Sequence, residues 1–140
     1  GGRIGSFAYR DPLGRGLTDN GWEVVPEGFL PLLRQAATLG KPLLVTENGL
    51  ADAGDTRRAA YLESHVGVLA AAEAVGLPVH GYLHWSLVDN YEWLDGWEPR
   101  FGLLELDRET FARRERPSAR TFRRLASSYL GRSLHSRQGP

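Results

Sequence analysis

The spacing of apolar positions changes several times along the chain, and each change marks an element. Phe29, Leu30, Leu33, Ala36 and Ala37 recur at helical spacing after Pro26, a residue that a first helical turn tolerates. Gly40 ends this helix and Pro42 forbids its continuation. Leu43 to Glu47 is a short apolar run without alternation, the pattern of a strand buried on both faces, as in a parallel sheet. A polar loop over 52–55 follows, with Asp55 or Thr56 available as a cap. A second helix is predicted from about Arg57 to Val75, with Leu62, Val66, Leu69 and Ala70 on one face, stopped by Gly76 and Pro78. Val79 to Trp85 is the next strand: its period of two places Gly81, Leu83 and Trp85 on one face and His80, Tyr82 and His84 on the other.

A long loop runs over 86–100. Leu103–Asp107 and Phe111–Arg116 can pair as a short hairpin across the Asp107–Thr110 turn. Pro117 opens a last helix with an apolar stripe of Phe122, Leu125, Ala126, Tyr129 and Leu130. Residues 1–25 read as loop, and 131–140 as a frayed or disordered tail. The order helix, strand, helix, strand, hairpin, helix implies an α/β fold with parallel strands and right-handed crossovers. Two parallel strands cannot close a barrel, and a complete (β/α)8 barrel takes roughly 250 residues. The simplest account of residues 1–140 is the C-terminal portion of one TIM barrel.

Composition narrows this little. The 140 residues are 41% hydrophobic and 24% charged, ordinary for a globular protein. Cysteine is absent, which removes disulfides and thiolate metal sites and fits a reducing, cytoplasmic setting. The longest apolar stretch, Val66 to Ala72, falls far short of a membrane span of about 18 residues. The chain begins Gly1-Gly2-Arg3 and contains no Met, so it is expected to be a fragment whose true N-terminus lies upstream. Charge is uneven. Residues 1–107 carry 8 Lys+Arg against 15 Asp+Glu, whereas 108–140 carry 9 Arg against 2 Glu. No nucleic-acid motif accompanies those arginines, which are expected on the outer face of the last helix, paired with acidic neighbours.

Two runs carry candidate chemistry. In Leu43-Leu44-Val45-Thr46-Glu47-Asn48-Gly49 a carboxylate closes an apolar strand, at the end where barrel enzymes keep their catalytic groups. Such a group needs either a function or compensation, for example a salt bridge to Arg57, Arg58 or Arg100, and both remain open from the residues alone. The second run, Trp85 to Trp97, holds Trp85, Tyr91, Trp93 and Trp97 with Asp89, Asn90, Glu92 and Asp95 between them. Aromatic faces stack on sugar rings while carboxylates and amides bind hydroxyls, although such a cluster can equally pack a loop onto the core. Gly49 is expected to supply a backbone conformation that a side chain would resist. His80 and His84 show no metal-ligand spacing and are expected to be packed or hydrogen-bonded structural residues.

Thr46-Glu47-Asn48-Gly49, then Tyr82-Leu83-His84-Trp85-Ser86-Leu87-Val88-Asp89-Asn90-Tyr91-Glu92-Trp93, then Arg100-Phe101-Gly102-Leu103, resemble glycoside hydrolase family 1. Gly21-Trp22-Glu23, Pro26-Glu27-Gly28 and Arg116-Pro117-Ser118-Ala119 match it too, so the resemblance spans roughly 18–130. It implies a (β/α)8 barrel in which Leu43–Glu47 is strand seven and Val79–Trp85 strand eight. It also implies a retaining β-glycosidase, β-glucosidase-like, acting on a β-glycoside or oligosaccharide, with no cofactor or metal and with neither nucleic acid nor membrane as partner. Glu47 matches the nucleophile. Trp85 matches the platform under the sugar ring, Glu92 and Trp93 the residues that bind its hydroxyls, and Phe101 a wall near the exocyclic hydroxymethyl group. The family's acid/base lies in an Asn-Glu-Pro motif that does not occur here, so the fragment is expected to be inactive alone. Members acting on 6-phosphorylated sugars carry a Ser and a Lys in the aromatic loop; this chain has no Lys there, which implies unphosphorylated glycosides. The rival reading is a non-catalytic barrel of the same kind that only binds sugars or proteins.

Overall fold

Proline and glycine set most element boundaries. In the computed structural model, which describes residues 11, 14 and 16–136, Pro26–Gly28 form a 3-10 turn that leads into α1 (Phe29–Ala37). After Gly40 and Pro42 comes β1 (Leu43–Asn48), then α2 (Arg58–Ala74). At the end of α2 Gly76 takes a left-handed φ of 82°, open to glycine at little cost, and the chain turns into β2 (Val79–His84). β1 and β2 pair in parallel, with Leu43 opposite Val79, Leu44 opposite Gly81, Val45 opposite Tyr82 and Asn48 opposite His84. The hairpin is β3 (Leu104–Leu106) against β4 (Arg113–Glu115), antiparallel, with Asp107 Oδ1 accepting from the N–H groups of Glu109 and Thr110 in the turn. Last comes α3 (Pro117–Ser136), which continues through Gly131 where the sequence suggested a tail; residues 137–140, and most of 1–15, lie outside the described residues.

The core lies between the helices and one face of the sheet. Leu33 of α1, Leu69 and Ala72 of α2 and Val79 of β2 form one cluster, with Phe29, Leu43, Val45 and Tyr82 packed around it. Leu62, Leu103 and Ala119 form a second, ringed by Tyr82, Phe122 and Leu125. The other face of the sheet is bare. Leu44 is 55% exposed and Leu83 54% exposed, which corrects the expectation that β1 is buried on both sides. Its apolar run suits a two-sided environment, yet among the described residues only the helix-side face is covered.

The α2 cap also differs from expectation. Asp52, not Asp55 or Thr56, accepts from the first free amides, Arg57 N–H at 2.8 Å and Arg58 N–H at 3.0 Å. Asp55 instead takes φ 52° and ties two helix starts together, accepting from the guanidinium of Arg58 and from the backbone N–H (2.8 Å) and hydroxyl (2.6 Å) of Ser118. Arg58 is fully buried and also donates to the carbonyls of Asp52 and Arg100, both at 2.7 Å. The arginines of the C-terminal part mostly lie outside and pair as expected: Arg123 with Glu115 at 2.9 Å and Arg124 with Glu63 at 2.6 Å. Among the described residues no helix is long and apolar enough to cross a membrane.

Candidate active site

Glu47 occupies the next-to-last position of β1, and its side chain is exposed. The three arginines that could have neutralised it are engaged elsewhere. Arg57 donates to the carbonyls of Leu17 (2.6 Å) and Gly16 (3.0 Å), Arg58 is held by Asp55, and Arg100 lies 3.8 Å from Asp89. Among the described residues no salt bridge reaches Glu47, so the compensating ion pair left open by the sequence is not formed.

The next residues join β1 to the aromatic loop. Asn48 O accepts from Trp85 N–H at 3.0 Å. A Cβ built on Gly49 would lie 1.6 Å from the Trp85 carbonyl oxygen. Gly49 is absent from the positive-φ glycines, so its requirement is close approach of two backbones rather than the unusual conformation the sequence suggested.

Trp85 then leads into the loop through a cis peptide to Ser86. Its indole Nε1 donates to Glu92 Oε1 at 3.1 Å, and Asn90 Nδ2 donates to the same oxygen at 2.7 Å. Two donors thus fix one oxygen of Glu92, and among the described residues no hydrogen bond is made to Oε2. The backbones of Glu92 and Gly96 exchange hydrogen bonds of 2.8 and 2.7 Å, closing a tip that holds Trp93, 91% exposed. Trp85 and Glu92 are therefore brought together by direct contact and Trp93 is presented beside them. Phe101 is placed differently: it is 3% exposed, with its ring 6.2 Å from that of Trp22, and offers little surface to a ligand. Trp97 is packed in place by the edge of Tyr91 at 5.6 Å and by the guanidinium of Arg108 over its ring.

The loop has an anchor that the sequence did not reveal. Asp89, grouped there with the hydroxyl-binding carboxylates, points inward and is buried. Both its oxygens accept from the Arg116 fork, each at 2.9 Å, and Oδ1 also accepts from Gly102 N–H at 2.9 Å. Burial pulls its pKa upward, but the hydrogen bonds from Arg116 and Gly102 and the charge of Arg116 outweigh it, and the carboxyl is held below the usual carboxylate value. Arg116 is accordingly an exception to the outer-face arginines. Of these two histidines, His84 is half-buried against Phe122, whereas His80 is exposed on β2 and not packed as expected. Burial and the neighbouring Arg58 charge lower the His84 pKa to about 4, so the ring is neutral. Among the described residues no cluster of His, Asp or Glu is arranged to hold a metal ion.

The strand that ends in Glu47 and Asn48 thus meets, through Asn48 and Gly49, the backbone of a tryptophan whose indole orients a second carboxylate. The sequence profile described as Glycosyl hydrolase family 1 matches residues 10–129. The chain belongs to this family. A β-galactosidase of Sulfolobus acidocaldarius is 47% identical over 112 residues, 79% of this chain and 23% of its own length. The crystal structure of the β-glycosidase from Thermosphaera aggregans superposes with a TM-score of 0.80 at 49% identity, over 83% of this chain and 24% of that one. The hyperthermophilic β-glucosidase from Pyrococcus furiosus gives 0.81 at 46%, over 86% and 26%. This family 1 chain thus spans about a quarter of the length of the relatives it matches.

Proposed function

We propose that this family 1 chain is the nucleophile-bearing part of a retaining β-glycosidase that hydrolyses unphosphorylated β-glycosides. The observation that carries the proposal is the junction at Gly49, which sets the strand end with Glu47 against Trp85, while Trp85 in turn orients Glu92. β1 and β2 are taken as barrel strands seven and eight, and the bare face with Leu44 and Leu83 as the barrel interior. Glu47 attacks the anomeric carbon from the face opposite the leaving group, the glycosidic C–O bond breaks, and a covalent glycosyl-enzyme forms. Water then hydrolyses it with retained configuration. This needs a second carboxyl group about 5–5.5 Å away, acid in the first step and base in the second. Glu92 is not assigned that role, because by the family resemblance it matches a hydroxyl-binding residue, one that Trp85 and Asn90 orient here; the acid/base is expected in a segment outside these 140 residues. A 6-phosphate beside Glu92 would meet a negative charge and no lysine in the loop, which supports unphosphorylated sugars.

The test is Glu47→Gly in the full-length protein. Hydrolysis of an aryl β-glycoside should collapse and recover partly with azide or formate, small anions that take the place of the carboxylate; undiminished hydrolysis rules the assignment out. The 140-residue chain alone should show no turnover, and measurable activity there would reopen a Glu47–Glu92 pair.

A further inference from the structure

On the helix-covered side of β1 lies a polar cluster that the proposed chemistry leaves unused. Its centre is Asn48. The Asn48 carbonyl accepts from Trp85 N–H at 3.0 Å, and the Tyr82 hydroxyl lies 3.2 Å from that oxygen and 3.0 Å from Asn48 Oδ1. From α2, Tyr61 lines the same cavity as Asn48 and Gly49. Both tyrosine rings are held in turn. Tyr82 packs against both apolar clusters, and Tyr61 stacks on His65 with 3.9 Å between ring centroids. Asn48 is therefore held by the Tyr82 hydroxyl of β2 and by the Trp85 backbone.

Glu47 is the residue before it. The β1–β2 ladder is regular at Val45 and resumes only at Asn48, with a register shift between them. Inside that shift the ladder does not fix Glu47. Its direction follows from where Asn48 is pinned. A nucleophile must meet the anomeric carbon in line, and a misplacement of about 1 Å can cost about 100-fold in rate.

We propose that Tyr82 is a positioning residue for Glu47, acting through the side chain of Asn48, and that its hydroxyl sets the rate of covalent attack without contributing to sugar binding. The inference rests on Glu47 being the nucleophile.

The experiment uses the full-length protein and a 2-deoxy-2-fluoro-β-glycoside, which traps the glycosyl-enzyme. Tyr82→Phe should lower the trapping rate constant by about tenfold or more. The dissociation constant of a competing simple sugar, which a general loosening of the site would raise, should stay within about twofold. Asn48→Ala should show the same loss, and adding Tyr82→Phe to it should lower the rate no further, since the two changes break one contact. Wild-type trapping in Tyr82→Phe, or losses that add in the double variant, would overturn the proposal. Should Tyr82→Phe fail to fold, Asn48→Ala carries the test alone, because it leaves the Tyr82 ring in its packing; unchanged trapping there overturns the proposal equally. Failure of Glu47→Gly to lose activity would instead remove the reading beneath it, and an azide-rescued Glu47→Gly beside a fully active Tyr82→Phe would remove only this inference.

Discussion

Gly49 and Trp85 meet backbone against backbone, so closely that a Cβ on Gly49 would lie 1.6 Å from the Trp85 carbonyl oxygen. The hydrogen bond from Trp85 N–H to Asn48 O sits beside this contact. Two runs far apart in sequence are thereby fixed to one another at the carboxyl ends of neighbouring parallel strands. The strand end that carries Glu47 and the tryptophan that orients Glu92 cannot shift independently.

Gly49→Ala should therefore be poorly tolerated. The atom in the way is main chain and cannot swing aside as a flexible side-chain end could. Overpacking costs about 1–3 kcal/mol, occasionally more, and a clash with backbone belongs at the upper end. The check is urea unfolding of full-length protein, where the midpoint should fall, together with a loss of hydrolysis in whatever remains folded. A variant with wild-type midpoint and activity would show that the two backbones are not in contact.

The Asp89–Arg116 pair should prove the main anchor of the aromatic loop. Both partners are buried, and removing one strands the other's charge, at a cost of about 3–5 kcal/mol. Arg116→Ala is expected to destabilise by that amount, and Arg116→Lys to recover only part of it, because an ammonium cannot form the paired bonds of the fork. The sign of the pH effect follows from the depressed Asp89 pKa. Its contribution is fully present above the ordinary carboxylate value of 3.8 and is lost as pH falls through the lower folded value. Acid unfolding followed by tryptophan fluorescence should show this dependence in the wild type and lose it in Asp89→Asn.

Much of this was legible in the sequence because local rules govern it. Pro26, Pro42, Pro78 and Pro117, with Gly40 and Gly76, mark element boundaries, and the period of two in Val79–Trp85 separates Tyr82 and His84 from Leu83 without further knowledge. What stayed hidden depended on partners distant in the chain. Asp89 looks like its neighbours Asn90 and Glu92 until Arg116, 27 residues on, is folded against it. Asp55 was a plausible cap by position, yet its bonds to Ser118 cross 63 residues. The reason for Gly49 could not be read either, since close approach leaves the same mark on a sequence as a left-handed turn. The bare face of β1 is likewise invisible in an apolar run, which records what the strand suits and not what covers it.

His84 should make the protein sensitive to mild acid. Its ring is half-buried, its Nε2 is buried without a hydrogen-bond partner, and Arg58 lies close enough to oppose a second positive charge. With a pKa lowered from 6.5 to about 4, the folded state stays neutral where the unfolded chain takes up a proton. Stability attributable to this residue is thus intact above pH 6.5 and falls by about 3 kcal/mol by pH 4. His84→Leu removes the titration and the unpaired nitrogen together. Chemical denaturation at a series of pH values should give a flatter profile for the variant between 6.5 and 4. Parallel profiles would mean that His84 is protonated in the fold.

Glu92 separates orientation from affinity. Its Oε1 receives the Trp85 and Asn90 donors, and under the proposed function Oε2 accepts from a sugar hydroxyl. In Glu92→Gln the amide oxygen can keep both donors, so the side chain should hold its place while an N–H replaces the free acceptor. A hydrogen bond to a charged group is worth about 1.5–3 kcal/mol, so kcat/KM for an unphosphorylated β-glycoside should fall about 10- to 100-fold. Trp85→Phe acts from the other side: it leaves the carboxylate chemically intact but removes the indole donor that aims it, and also shrinks the aromatic face. If Trp85 orients Glu92, the double variant should lose less than the product of the single losses, because part of the Trp85 effect is exerted through Glu92. Strictly multiplicative losses would mean that the two residues serve the substrate separately and that the 3.1 Å contact between them carries no function.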